Sequence, residues 1–210
     1  MNIDTKNIID SILDNISNIE YLKIEDIPNI PLYMDQVTTL MDEKLKASKR
    51  CEDDKILTKT MINNYAKNNL LPPPIKKKYN KEHVLVLVFI YYFKNILSIK
   101  DIEKLLQPIT SKFFDNAETF NINDLYQDVF NLEKSHIEYL KEELRASYQI
   151  AQDTFSDDSN PDQAFLQVFS FICILSLDVY VKKQIIENLI DNFSFDITSE
   201  EKKQRDKKSK

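Results

Sequence analysis

Residues 57–80 read LTKTMINNYAKNNLLPPPIKKKYN, a short helical pattern that runs into three prolines and then three lysines. Thr58 can cap this helix, because its hydroxyl can accept a hydrogen bond from the first backbone amides. The helical period places Ile62 and Tyr65 on an inward face. Because proline fixes φ and has no amide hydrogen, the prolines predict an extended exit from the helix. The stretch therefore predicts a capped helix, a sharp exit and a cationic loop.

The outward face of this helix carries hydrogen-bonding groups and no carboxylate. Thr60, Asn63, Asn64 and Lys67 recur at the i, i+3, i+4 and i+7 positions. Asparagine can pair with N6 and N7 of adenine, and lysine can contact phosphate. The pattern therefore favours nucleic-acid recognition, while an ordinary solvated helix surface is the alternative.

Positive charge is concentrated around the same stretch. The segment from Lys55 to Lys104 holds ten lysines and three acidic residues, a net +7, so the remainder of a chain with net charge −6 sums to −13. Such segregation favours a basic segment that faces a polyanion and an acidic body that keeps the protein soluble.

Composition excludes several classes of site. The 210 residues contain no glycine, which excludes a Walker loop and a Rossmann fingerprint. Cys51 and Cys173 form no C-x-x-C pair, so neither a zinc site nor a disulfide framework is indicated. The N-terminus lacks the pattern of a signal peptide, and we expect a cytoplasmic protein.

Neither catalytic nor metal-binding residues stand out. Glu133 and His136 form one E-x-x-H, half of the ligand pattern of a di-iron bundle, but the chain has only two histidines. We interpret this pair, and His83 near the lysines, as surface residues. We therefore expect no enzyme activity, no metal site and no cofactor.

The rest of the chain favours helices. A first amphipathic helix is predicted for residues 5–20 and a second for about 34–49. Residues 81–97 alternate like a strand, yet their length favours a buried helix, after which Ser98 caps a helix that Pro108 should stop.

Two long helices are predicted beyond residue 120. The first spans about 123–154, and the second is apolar for about eighteen residues. Polar interruptions favour a buried or dimer-interface helix over a membrane span. Four aromatic residues could line an effector pocket, although core packing or a dimer seam is favoured: Phe165, Phe169, Phe171 and Tyr180.

The order of these motifs resembles the MerR-type winged helix-turn-helix over about residues 57–106. Tyr65 matches that family's last recognition-helix tyrosine, and Tyr79 matches its wing-exit tyrosine. Further matches are Leu70 to Pro73, which fit the Leu-Leu-Pro-Pro exit, and Ser98, Ile99, Ile102, Leu105 and Leu106, which fit the final helix. The whole sequence also resembles an uncharacterised domain-of-unknown-function family of low-GC Gram-positive bacteria.

The MerR resemblance implies a helix in the major groove and a wing on the phosphate backbone. It supports helix for residues 81–97. We expect the DNA contacts to come from Lys59, Thr60, Asn63, Asn64, Lys67, Lys76, Lys77, Lys78 and Tyr79. The predicted function is transcriptional regulation through sequence-specific binding to double-stranded DNA, by a homodimer whose effector is a small molecule or a protein.

Two departures from the MerR pattern leave an alternative open. Asn63 and Asn64 stand where that family has Arg-Tyr, and the segment PPPIKKKY is too short for a full wing hairpin. A non-enzymatic protein-interaction module that keeps the helix-turn-helix fold without specific DNA binding is therefore the rival hypothesis.

The predicted fold is mainly α, with a winged helix-turn-helix-like head, a reduced wing and a helical C-terminal dimerisation region. The predicted divisions are an N-terminal helix and linker at 1–29, a MerR-like head at 30–108, a dimerisation and effector region at 109–200, and a disordered charged tail at 201–210.

Overall fold

A computed structural model describes residues 5–17, 22–116, 120–156 and 161–192. The described residues contain seven α-helices, which confirms a mainly α fold. They are α1 (Thr5–Ser17), α2 (Met34–Lys44), α3 (Lys59–Lys67), α4 (Lys81–Phe93), α5 (Ile99–Phe113), α6 (Ile122–Gln152) and α7 (Gln163–Asn192). Two short strands, β1 (Leu32–Tyr33) and β2 (Lys78–Tyr79), pair in antiparallel register.

Three helices begin at side-chain caps, two of which, Thr58 and Ser98, the sequence predicts. The Thr58 hydroxyl accepts from the amide of Met61 at 3.2 Å, at the start of α3. At the start of α5 the Ser98 hydroxyl accepts from an amide in the first turn at 3.2 Å. The Asn80 side chain does the same for α4 at 3.0 Å. These bonds satisfy amides that have no partner within their own helix.

Helix α4 is the central core element of its unit. Its residues 83–91 are all buried, which explains why the sequence shows a continuous apolar run instead of a clear period. The prediction of a helix for residues 81–97 is confirmed, with its end at Phe93. A helix that is apolar on all sides needs neighbours on all sides.

The prediction that Pro108 stops a helix is wrong. Helix α5 continues through it to Phe113. The Thr110 hydroxyl donates to the carbonyls of Leu106 at 3.0 Å and Gln107 at 3.2 Å, which adds hydrogen bonds in the turn that contains the proline. Proline removes its own amide donor and crowds the carbonyl of Lys104, but the buried Ile102 and Leu106 keep the helix packed through this turn.

The chain divides into two compact units. One lies within Met1–Glu20 and Asp128–Ile185, and the other within Tyr21–Gln127 and Ile186–Lys210. In the latter, which we call the head unit, the buried Tyr126 hydroxyl donates to the carbonyl of Leu22 at 2.6 Å. The segment predicted as a head at 30–108 is therefore part of a larger packed unit. The predicted tail at 201–210 lies outside the described residues.

The other unit contains α1 and an antiparallel hairpin of α6 and α7, which we call the hairpin unit. The Gln167 amide donates to the carbonyl of Gln152 at 2.7 Å, and the rings of Tyr148 and Phe171 meet edge to face at 5.4 Å. Gln152 at the end of α6 contacts Gln167 near the start of α7, whereas Tyr148, earlier in α6, contacts Phe171, later in α7. This order of contacts requires antiparallel packing. The two long helices of the prediction therefore form one helical hairpin.

Candidate nucleic-acid interface

Helix α3 separates a buried face from an exposed one. Ile62 and Tyr65 are buried, whereas the four residues of the predicted outer face are all exposed: Thr60, Asn63, Asn64 and Lys67. Burial raises the pKa of the Tyr65 phenol. Within the described part of the chain, no hydrogen bond engages the side-chain amides of Asn63 and Asn64. Both amides can therefore bond to a ligand without breaking a bond in the protein.

The exit from α3 is fixed by backbone geometry. Asn69 takes a left-handed conformation with φ of 57°, which asparagine tolerates better than most residues. The amides of Leu70 and Leu71 both donate to the carbonyl of Tyr65, at 2.9 and 3.3 Å, and both leucine side chains are buried. This arrangement ends the helix sharply without glycine.

Residues 75–78 form a minimal β-hairpin, which we call the lysine hairpin. The backbones of Ile75 and Lys78 exchange two hydrogen bonds of 3.0 Å. Lys76 and Lys77 occupy the two central positions with φ of 51° and 64°. Positive φ at both positions is the requirement of a two-residue type I′ turn. The segment expected to be too short for a full wing hairpin therefore forms a minimal one, with two exposed lysines at its tip.

Strand pairing holds the base of the lysine hairpin against the start of α2. Leu32 pairs with Tyr79, and Tyr33 pairs with Lys78. The Lys78 ammonium lies 5.0 Å from the centroid of the Tyr33 ring, a cation–π contact. Tyr79 is only 3% exposed. Its side chain belongs to the core and presents almost no surface to a ligand, although the sequence places it among the expected DNA contacts.

His83 joins the proline exit to α4. Its side chain is fully buried, so the prediction that it lies at the surface is wrong. The backbone amide of Asn80 donates to Nδ1 of His83 at 3.1 Å, and Nε2 of His83 donates to the carbonyl of Pro73 at 3.3 Å. The rings of Tyr79 and Phe114 meet the imidazole edge to face. Burial lowers the pKa of His83, so the neutral form is favoured.

Several lysines of the basic segment already have partners. Lys59 forms a salt bridge with Asp35 of α2, and Lys104 pairs with Asp191 at 2.9 Å. Lys94 donates to the carbonyl of Ile56 at 2.8 Å, and burial lowers the pKa of its ammonium. Lys67 and the two lysines at the hairpin tip, by contrast, have no side-chain partner among the described residues. The positive surface is therefore narrower than the sequence count suggests.

An acidic loop borders the same region. The turn between α2 and α3 contains exposed Glu52, Asp53 and Asp54. An oxygen of Asp54 accepts from the amides of Arg50 at 3.1 Å and Cys51 at 3.0 Å, which fixes the loop. These carboxylates repel phosphate and oppose DNA binding on that side of α3.

The described residues offer no metal centre, since they contain no cluster of three His, Cys, Asp or Glu side chains that could hold an ion. The His136 ring stacks on Tyr139 at 5.2 Å, and the Glu133 side chain lies outside the described part of the chain. Near the start of α4, an open polar cleft of about 400 Å³ is lined by asparagines and by Lys81, Glu82 and Asp115.

Sequence reasoning missed two residues of this surface, Tyr33 and Asp35. They lie more than twenty residues before α3. The pairing of β1 with β2 brings Tyr33 beside Lys78, and the packing of α2 against α3 brings Asp35 beside Lys59. The pattern IPLYMDQ carries no local signal of that pairing, because a two-residue strand is too short to show a period.

Comparison with known proteins places the chain in a family. No curated protein matches the chain, and no solved structure matches it either. Residues 22–129 match the family described as Domain of unknown function (DUF1836). The match covers more than half of the 210 residues and includes α2, α3, the lysine hairpin, α4 and α5. The chain therefore belongs to the DUF1836 family.

Proposed function

We propose that the head unit is a winged helix-turn-helix of MerR-like type that binds duplex DNA and regulates transcription. The order of elements supports this proposal: β1, α2, a turn, α3, a proline exit, the lysine hairpin and the buried α4. In this proposal α3 is the recognition helix and the lysine hairpin is a reduced wing. The proposed function is the one expected from the sequence, and the proposal assigns it to these two surfaces.

One observation carries the proposal. Two unbonded asparagine amides project from a short capped helix, and a rigid hairpin with two lysines at its tip follows in the chain. Each asparagine can donate to adenine N7 and accept from N6, and such a bidentate pair contributes about 1–3 kcal/mol of discrimination. The lysines of the hairpin supply phosphate contacts that position the helix.

Helix α3 fits the major groove in size. A groove about 12 Å wide accepts one α-helix, and the nine residues of α3 present a single polar face. Thr60 can contact bases or sugar, and the ammonium groups of Lys67, Lys76 and Lys77 can bind the phosphate backbone. To bind phosphate, Lys59 would have to break its salt bridge with Asp35. Two-fold binding by a homodimer would give half-sites separated by about one helical turn of DNA or a multiple of it.

A protein-interaction module is the second candidate, and the carboxylates favour it. Asp35 already neutralises Lys59, and the loop with Glu52 and Asp53 adds negative charge beside α3. A surface with both signs of charge and two free amides suits a polar protein partner. This candidate predicts weak DNA binding that is independent of sequence.

The test is selection of bound duplexes from a random library, followed by titration of the selected and a scrambled duplex at several salt concentrations. We expect a palindromic motif that binds more than about a hundredfold tighter than scrambled DNA. Replacing both Asn63 and Asn64 with alanine should abolish that preference. The matched control is Lys100→Ala, an exposed lysine on α5 outside the proposed interface, which should leave the preference unchanged.

Equal and weak binding of both duplexes by the native chain would overturn the proposal and favour the interaction module. A preference that survives the double alanine replacement would leave DNA binding in place but remove α3 as its reader. The two outcomes separate the function from the surface assigned to it.

A further inference from the structure

The outer side of α7 is apolar and exposed. Six of its apolar side chains are each more than half exposed: Phe165, Phe169, Ile172, Leu177, Tyr180 and Val181. On the other side the helix packs on α6, where the Phe171 ring meets Tyr148. Soluble monomers rarely expose a continuous apolar patch larger than a few hundred Å².

This surface is large enough for a specific interface. Four of these side chains lie on one stripe and, with Leu177 beside them, offer roughly 550 Å² of apolar surface, about as much as the apolar part of one side of a standard interface. Each partner in a standard protein interface contributes about 800 Å². Five residues also form one stripe at spacings of 4, 3, 4 and 4, typical of a helix that packs lengthwise on another helix: Phe165, Phe169, Ile172, Ser176 and Tyr180.

We propose that a second copy of this chain covers the stripe, with the two α7 helices antiparallel and a two-fold axis between Ile172 and Cys173. The stripe has nearly the same spacing in both directions from that midpoint. Phe165 then lies opposite Tyr180 of the second copy, and the large Phe169 lies opposite the small Ser176. In a two-fold interface each such contact occurs twice.

Charge complementarity favours the antiparallel arrangement. In this register Asp162, just before α7, lies opposite Lys183 of the second copy, and the pair occurs on both sides of the axis. A parallel pair would instead place Lys183 beside Lys183 and Phe169 beside Phe169. Like charges in contact cost energy, and two large rings at one level leave Ser176 facing Ser176 across a gap.

A lipid bilayer is the competing occupant. By length and composition, helix α7 is long and apolar enough to span one, and almost none of its apolar part is buried. However, α6 packs beside the apolar part of α7 and carries Glu138, Lys141 and Glu143. A bilayer around α7 would draw those charges toward hydrocarbon, which is costly. A second copy leaves α6 in water.

Cysteine crosslinking in solution, without DNA, tests the register. In a Cys51→Ser chain, Cys173 is the only cysteine and lies next to the proposed axis, so mild oxidation with copper phenanthroline should link two chains. In a cysteine-free background, Phe165→Cys mixed with Tyr180→Cys should crosslink, whereas Phe165→Cys alone should not. Glu142→Cys, on the exposed side of α6, is the matched control and should stay unlinked.

Sedimentation provides the second measurement. The native chain should be a dimer at micromolar concentration, and Phe169→Asp should weaken dimerisation at least about a hundredfold while its helical circular dichroism is retained. A monomeric native chain, self-crosslinking of Phe165→Cys, or co-flotation of the native chain with phosphatidylcholine and phosphatidylglycerol vesicles would each overturn the proposal. None of these readouts depends on DNA binding, so either proposal can fail alone.

Discussion

The lysine hairpin carries a conformational cost that a simple substitution can remove. Lys76 and Lys77 both have positive φ, and the left-handed region costs an L-residue with a β-carbon about 1–2 kcal/mol. Asn-Gly is the preferred pair at the centre of a type I′ turn. The double substitution Lys76→Asn and Lys77→Gly should therefore keep the hairpin and stabilise the native state. It should also remove two positive charges from the tip.

The expected gain in stability is modest and measurable. Glycine removes the steric cost but adds backbone entropy of about 0.5–1 kcal/mol to the unfolded state, so a net gain of about 1 kcal/mol follows for the pair. For a chain of this size, each kcal/mol raises Tm by about 2–4 °C. Thermal unfolding followed by circular dichroism would detect that shift.

The same variant should bind DNA less well. Log K falls as log salt concentration rises, and loss of two phosphate contacts should make this slope less steep by roughly 2. Fluorescence anisotropy over a salt series on the selected duplex measures the slope. A control with Lys100→Gln and Lys182→Gln has the same net charge and leaves the hairpin intact. An unchanged salt slope in the hairpin variant would refute phosphate binding by the hairpin, and an unchanged or lower Tm would refute the proposed backbone strain.

Three further substitutions test the packing around the interface. His83→Gln should make the fall in Tm on acidification below pH 6.5 less steep, because the lowered pKa of the buried imidazole means that the unfolded chain binds more protons there than the folded chain. The raised pKa of Glu82 acts in the opposite direction. An equally steep fall in Tm in the variant would contradict this role of His83. Tyr126→Phe should destabilise the head unit by about 1–2 kcal/mol in urea unfolding, since the carbonyl of Leu22 loses its buried donor; an unchanged midpoint would show that this bond contributes nothing. Thr58→Ala should cost about 1 kcal/mol through loss of the α3 cap, and restored stability in Thr58→Ser is the control.

Local chemistry explains what the sequence alone predicted. The cap at Thr58 and the proline exit each depend on residues close together in the chain, so the pattern of α3 and its outer face could be derived directly. Helix α4 needed only length to separate it from a strand. These features follow from local propensity and hydrophobic periodicity, which can be derived from neighbouring residues in the sequence.

Tertiary contacts explain what the sequence did not reveal. His83 occupies the first turn of α4, where polar residues are usually solvated. The rings of Tyr79, just before α4, and Phe114, just after α5, contact its imidazole and bury it. Pro108 has no local signal that distinguishes a tolerated proline from a helix stop. Asp35 reaches Lys59 only because α2 packs against α3. The contacts of Phe114 with His83 and of Asp35 with Lys59 each join residues more than twenty positions apart, beyond the reach of a helical period.

The two proposals together address a weakness of the head as a DNA reader. It lacks an arginine at the position where the MerR-type pattern has one, and Asp35 neutralises Lys59, so a single head has few cations with which to bind phosphate. A dimer formed through α7 carries two heads, and binding of the second becomes intramolecular. Such linkage raises affinity by about 10²–10⁴ without any new contact when both sites can be engaged together. A head with modest charge can therefore serve as a specific reader in a dimer, and Phe169→Asp should weaken DNA binding although its position lies outside the head.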